Sequence, residues 1–438
     1  MLMTIVVFVV VLGFLVLIHE GGHFLAARWA RVWVHEFAIG FGPAFFKRKG
    51  KETLYALRIF PLGGYVRMAG ESEPAGEDQG DNEAGDVPHD RLFSSQSPWA
   101  RLGIIFAGPL TNIVGAVLLV IAVVAAFGAP QVEVVKFTAS DSPAAQVLHV
   151  GDIITSIEGK AIYSTSQIQN IVGSNGERPL TIGVLRNGEP VTIEVTPRWV
   201  PEQGGFLIGA FFSTAQTNLI TNVEKGSFLD LQGVQKGDRL VALDDVPVSS
   251  ARTLFQAFEQ TQKQGGPQSL TVLRQNTKIT VPLNLEQRTP ETIFGGISLE
   301  TPTRTLNPID SVSVGVNQTW SMMVAWVQGI RRVTSGEIPA GKAFSGPVGI
   351  ASILGKGFEQ GWSTFFFLVA FLSLNLGVIN LLPFPALDGS RLVFIAIELV
   401  RGKPVSPERE GMVHQIGFFI LLGLIVLITY NDIARLFQ

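Results

Sequence analysis

Hydrophobic and polar positions are segregated along this chain in long blocks. Residues 2–18 carry no charged side chain, and a run of that length predicts a membrane helix. No basic stretch precedes it, so a cleavable leader fits poorly. A second uncharged run covers 104–127 and includes Pro109 and Asn112. Its small residues Ala107, Gly108 and Gly115 suit close helix contact. Further apolar runs at 365–382 and 412–428 predict a third and a fourth span.

The polar blocks assign the sides. Residues 28–97 hold Arg28, Arg31, Lys47, Arg48, Lys49, Lys51, Arg58, Arg67 and Arg91, and Arg391, Arg401, Lys403 and Arg409 follow the third span. Cytoplasmic loops are enriched in such residues, which puts both termini and the middle of the chain on the outer side. Within the first basic block, 53–68 mixes strand formers with Gly63-Gly64, the pattern of a β-hairpin or looped strand. Residues 71–90 are acidic, Gly-rich and nearly free of large apolar residues, the composition of a disordered loop.

Residues 131–300 lack membrane-length apolar runs and contain an internal repeat. Val150-Gly151-Asp152-Ile153-Ile154 matches Lys236-Gly237-Asp238-Arg239-Leu240, and Leu207-Ile208-Gly209-Ala210-Phe211 matches Ile293-Phe294-Gly295-Gly296-Ile297. Both matches are 86 residues apart (152 to 238, 209 to 295), which predicts two tandem domains of one fold. Short alternating runs such as 180–184 and 191–195 are strands. At 309–333, Val316, Trp320, Met323, Val324 and Val327 recur at helical spacing. That helix either lies on the outer membrane face or packs on the second repeat.

The organisation expected is therefore a multi-pass α-helical membrane protein. Residues 1–30 form the first transmembrane helix and 31–97 a cytoplasmic-side segment with a membrane-associated β region. Residues 98–128 form the second helix, followed by α+β domains at 129–214 and 215–304. An amphipathic interfacial helix at 305–340, a third transmembrane region at 341–400 and a fourth helix at 401–438 complete the chain. The composition agrees: 47% of residues are hydrophobic and 16% charged. A net charge of −3 gives no sign of nucleic-acid binding. The chain has no cysteine, so any metal must be held by histidine and carboxylate.

The chemistry stands at the end of the first span, in His19-Glu20-Gly21-Gly22-His23. On a helix His19 and His23 are one turn apart on one face, so both imidazoles reach one ion with Glu20 beside it. This is the H-E-x-x-H arrangement of zinc proteases, two ligands and a general base. From Thr4 to His19 the helix covers about 22 Å, which sets the motif in the far third of the bilayer. Zinc needs a third protein ligand. His35-Glu36 has Ile39 four residues on, His89 lies in the acidic loop, His149 in the outer domain, and His414 at the edge of the fourth span. Asp388 is the better candidate. It follows the third span on backbone broken by Pro383 and Pro385, and an ionisable group at that depth is expensive unless functional.

These residues resemble the site-2 protease family of intramembrane zinc metalloproteases, over nearly the whole chain. The first motif is similar to His19-Glu20-Gly21-Gly22-His23 and the second to the stretch from Asn380 to Asp388-Gly389. Gly108-Pro109-Leu110-Thr111-Asn112 and Gly346-Pro347-Val348-Gly349-Ile350 also resemble the family. The two repeats resemble PDZ domains of bacterial proteases, as in the regulator-of-sigma-E branch. The first copy has the Ser142-Pro143-Ala144-Ala145 start and the second has Phe228-Leu229-Asp230-Leu231 instead. The resemblance implies Zn2+ held by His19, His23 and Asp388, with Glu20 as catalytic base and Asn380 helping to hold the substrate backbone. It implies single-span membrane substrates in the bacterial inner membrane, namely anti-sigma factors already trimmed outside and signal peptide remnants. It also implies a membrane-dipping sheet around 55–68. A spanning substrate must unwind before it can be cut, and an edge strand can hold it by main-chain hydrogen bonds. Gly63, Gly64 and Tyr65 are the substrate-binding residues expected there. The outer domains would bind trimmed C-termini or act as a size filter.

Two other functions use the same residues. A membrane-anchored PDZ scaffold would make Glu20 and Asp388 accidental. A metal transporter would need more intramembrane carboxylates or histidines than the spans contain.

Overall fold

Each long apolar run becomes one helix. The computed structural model describes residues 2–71, 87–264, 268–283, 288–337 and 345–436. Among these, four helices are long and apolar enough to cross a membrane. The chain divides into two compact units, 1–122 with 315–438, and 123–314.

In the first unit, α1 (Leu2–Trp29) and α2 (Pro98–Phe127) extend beyond the uncharged runs. Arginines near their ends find partners, so the helices continue past the bilayer pattern. Arg28 pairs with Glu52, which also takes two hydrogen bonds from Arg91 at 2.9 and 3.0 Å. Those Arg91 bonds, with Arg28, hold the Glu52 carboxyl down to about 2.

Between the two helices lie β1 (Val34–Lys49) and β2 (Leu54–Met68). Gly40 and Gly42, at φ +89° and +81°, let β1 turn back on itself. Residues 54–57 pair with 36–39 on one side and with 46–49 on the other, while 64–68 pair antiparallel with 34–39. The order across the sheet is therefore 64–68, 34–41, 54–60, 44–49. Residues 54–60 are interior and 64–68 form the edge, which narrows the edge expected over the whole of 55–68. At the far end Phe45, Phe46, Ile59 and Phe60 are exposed beside Lys47, Arg48 and Lys49. Most of the acidic loop, 72–86, lies outside the described residues.

The second unit has two separate apolar cores, one around Ile154, Ile168 and Leu180 and one around Leu240, Phe258 and Leu270. The first core is covered by a sheet in the order Ala210–Thr214, Val132–Phe137, Ile153–Ile157, Leu180–Arg186, Glu189–Val195, and by α3 (Thr165–Asn175). In the second, Arg239–Leu243, Gln268–Arg274 and Thr277–Leu283 pair in turn, and Ile220–Val223 pairs with Ile297–Leu299. Its helices are α4 (Phe228–Leu231), α5 (Ala251–Gln264) and α6 (Pro290–Phe294).

The repeat carries the same polar lock twice. Asp152 accepts from the His149 amide and from Arg186, and Asp238 accepts from the Gln235 amide and from Arg274. The second copy lacks the Ser-Pro-Ala-Ala start, yet Ser227 stands against Gly296 as Ser142 stands against Gly209.

α7 (Pro308–Thr334) follows. It buries Ser311, Val314, Thr319 and Met322 and leaves Val316, Trp320, Val324 and Val327 exposed. Four more helices belong to the first unit: α8 (Pro347–Gln360), α9 (Trp362–Asn380), α10 (Asp388–Arg401) and α11 (Pro407–Leu436). α8 was not foreseen as a helix. The sequence has no side chain to cap it at Gly346. The cap comes instead from α11, where the Asp432 carboxylate accepts from the Gly349 amide at 2.7 Å. Val11 and Leu15 of α1 pack with Leu354 of α8 and with Phe365 and Val369 of α9. Below them Ala27 of α1, Val34, Val66, Met68 and Ile104 of α2 form a second cluster. The H-E-x-x-H turn of α1 lies between these clusters.

Candidate active site

Three elements far apart in sequence meet at that turn. α1 carries His19 and His23 one turn apart, both buried. Their rings lie 5.0 Å apart at 83°. Asp388 is the first residue of α10. Pro383 and Pro385 stop α9, and Ala386 takes a left-handed φ of 77° that turns the chain back. A helix N-terminus then favours the carboxylate. Gly389 is packed against the Leu381 and Leu382 carbonyls, closer than any side chain allows. Asp388 Oδ2 consequently lies 3.0 Å from His19 Nε2 and 3.3 Å from His23 Nε2.

These three side chains are the one group among the described residues able to hold a metal ion, with ligand atoms within 4.8 Å of one another. The donor set fits zinc. Two ligands about 2.0–2.1 Å from a tetrahedral zinc stand about 3.3 Å apart, close to both Asp388–His separations. Three protein ligands also leave a position open, as catalysis requires.

α2 holds the histidines from behind. His23 Nδ1 donates to the Ile104 carbonyl at 2.9 Å. His19 Nδ1 lies 3.2 Å from Asn112 Nδ2. The helices approach closely because Gly22 lies on Ala107 and Thr111, and Gly108 on the His23 ring. Thr111 Oγ1 bonds the Ile18 carbonyl across the contact at 3.0 Å. None of these α2 roles was derived from the sequence. The available sign was a polar pair, Thr111 and Asn112, inside an uncharged span.

Glu20 faces away from α2 toward the sheet. A Cβ on Gly64 would lie 2.8 Å from Glu20 Cγ, so the edge 64–68 runs directly past the motif. Gly63 packs on the Phe41 ring, and Tyr65 stacks on Phe41 at 6.4 Å. The substrate-binding residues expected at 63–65 thus lie beside Glu20. Asn380 ends α9 and is half-buried. β2 is tied back to the metal-ligand helix through Glu71, which pairs with Arg391 one turn after Asp388. His414 does not join the ligand group. Its Nδ1 accepts from the Ala386 amide at 3.2 Å, two residues before Asp388.

Two imidazoles and a carboxylate converging beside a glutamate, on helices of membrane length, make up the site of a multi-pass membrane zinc metalloprotease. The chain belongs to peptidase family M50, whose sequence pattern matches residues 7–424. It is 28% identical to Protease RseP of Yersinia pestis and 28% identical to the regulator of sigma-W protease RasP of Bacillus subtilis, each over 99% of both chains. It is 27% identical to the zinc metalloprotease RasP of Oceanobacillus iheyensis, again over 99% of both. A solved PDZ domain of an SdrC-like protein from Listeria monocytogenes matches 18% of the chain and 85% of its own length, with 27% identity and a TM-score of 0.18.

Proposed function

We propose that this protein is an intramembrane endoprotease in which His19, His23 and Asp388 hold zinc and Glu20 is the general base. One observation carries the proposal. Asp388 lies 369 residues from His19 in sequence, yet its oxygen is 3.0 and 3.3 Å from the two imidazoles. A structural histidine pair needs no such partner.

Bound zinc supplies a Lewis acid that polarises the scissile carbonyl and brings the pKa of water to about 7. Glu20 accepts the proton of the attacking water on a carboxylate oxygen and passes it to the departing amide nitrogen. His23 is kept in one orientation by the Ile104 carbonyl. The edge 64–68 takes the unwound substrate as an added strand, which brings its peptide bonds past Glu20. Asn380, at the end of α9, lies on the side of the site from which Asp388 returns and helps to hold the substrate backbone.

The substrates are single-span membrane segments. Anti-sigma factors trimmed on the outside fit this class, a choice supported by a relative's name, regulator of sigma-W protease. Signal peptide remnants share the same geometry. The basic residues of 28–97 and 391–409 put the sheet on the cytoplasmic side of a bacterial inner membrane. The two repeats are then PDZ-like domains on the periplasmic side. α7 lies at that interface with Trp320 and its valines toward lipid, since this apolar stripe is exposed.

The test is to map cleavage of a single-span reporter by the purified protein in bilayers, with zinc present and after removal by chelator. A zinc-dependent cut inside the apolar segment is expected. Cuts confined to the aqueous flanks, or cleavage unaffected by zinc removal, would overturn the proposal.

A further inference from the structure

The two histidines are held from α2 by chemically different groups. His23 Nδ1 faces the Ile104 carbonyl, which can only accept, so the proton of that ring is fixed on Nδ1. His19 Nδ1 faces Asn112, whose amide can donate or accept. Asn112 is fully buried, and its Oδ1 has no hydrogen-bond partner. Its main chain is anchored, because Ser373 Oγ of α9 donates to the Asn112 carbonyl at 2.8 Å. The side chain can therefore rotate while its position is kept.

A neutral imidazole carries one N–H. With no ion between them, His19 Nε2 donates to Asp388 Oδ2, and Nδ1 accepts from Asn112 Nδ2. An ion at the same place needs the Nε2 lone pair, so the proton must move to Nδ1 and find an acceptor there. A half-turn of the Asn112 amide presents Oδ1, the atom otherwise left without a partner.

We propose that Asn112 is the positioning residue for metal loading, its amide turning over to accept the His19 Nδ1 proton and fixing that ring as a ligand. The inference rests on the assignment of His19 as a zinc ligand. It makes the two ligands unequal: His23 is preset, and His19 is set by Asn112. Outer partners of this kind are typically worth 10–100-fold in metal affinity.

The experiment measures zinc affinity of the full-length protein by chelator competition, for wild type and four variants. Asn112→Leu keeps the shape without the acceptor and should bind zinc about 10–100-fold more weakly. Asn112→Asp offers only acceptors and should stay within about threefold of wild type. Ser373→Ala disturbs the same helix contact but spares the amide, and should also stay within about threefold. Rescue by Asp but not by Leu is the outcome a purely structural role does not produce. Equal losses in the Asp and Leu variants, or none in the Leu variant, would overturn the proposal. If either Asn112 variant fails to fold, nitrogen NMR of histidine-labelled wild type decides: zinc should move the His19 proton from Nε2 to Nδ1, and an unmoved proton refutes the switch. His19→Ala separates the underlying assignment. Loss of zinc there upholds it, and wild-type affinity would remove His19 as a ligand and the inference with it.

Discussion

Gly64→Ala tests whether the sheet edge positions the base. A Cβ at Gly64 would stand 2.8 Å from the Ala38 carbonyl oxygen, 2.8 Å from Glu20 Cγ and 2.9 Å from Val16 Cγ1. Carbon atoms pack at about 3.5 Å or more, so about 0.7 Å must be found. Ala38 is main chain in the paired strand and Val16 is fixed on α1. Glu20 is the one neighbour able to yield. A displacement near 1 Å costs about 10²-fold in rate, equivalent to about 2.7 kcal/mol of transition-state stabilisation. His19 and His23 do not contact Gly64, so zinc content should not change. The assay is kcat/KM on a single-span reporter in proteoliposomes, with zinc stoichiometry measured on the same samples. Gly13→Ala on the same helix is the control, since nothing lies within 4 Å of its added carbon. Cleavage by the Gly64 variant within threefold of wild type would refute the reasoning. So would a loss of activity that tracks a loss of zinc.

Other outcomes follow from the same geometry. Gly21→Ala should be tolerated, because the added methyl meets nothing within 4 Å, whereas Gly22→Ala drives a carbon to 2.5 Å from the Ala107 carbonyl and should cost about 1–3 kcal/mol by thermal unfolding. Equal effects of the two would contradict the α1–α2 contact. Val66→Pro on the sheet edge should slow cleavage at least tenfold with zinc content intact, and unchanged cleavage would remove strand addition from the mechanism. In the outer unit, burial opposes ionisation of Asp152, but Arg186 and the His149 amide outweigh it and hold the carboxyl below its ordinary value. Stability from this pair is therefore present above about pH 4 and lost as pH falls further, and Asp152→Asn should flatten that acid limb of the unfolding midpoint. Arg186→Met should cost about 3 kcal/mol, the low end for a buried pair, because Arg186 is 23% exposed.

Much of this was legible in the sequence, for identifiable reasons. Membrane helices announce themselves locally, because bilayer thickness sets their length. His19 and His23 are linked by the helical repeat, and Asp388 stands out as a charge on broken backbone at membrane depth. The 86-residue repeat carried its Asp locks with it, since Asp152 and Asp238 were part of the matching stretches. What stayed hidden depends on pairing across the chain. α8 is capped by Asp432, 83 residues away, so its start has no local mark. Glycine turns at Gly40 and Gly42 fold β1 back, and no hydrophobic pattern distinguishes interior 54–60 from edge 64–68. Asn112 was visible as a polar residue in a span. Its partner His19 is 93 residues away.

Glu20 is the centre of the account, and Glu20→Gln is its most direct test. The amide keeps the size of the side chain and removes its basicity, while His19, His23 and Asp388 are untouched. Zinc content and cleavage of a single-span reporter are to be measured on one preparation. The account predicts zinc at the wild-type level and cleavage reduced by at least about 10²–10⁴-fold, the contribution of a positioned base. Zinc retained together with wild-type cleavage would contradict it.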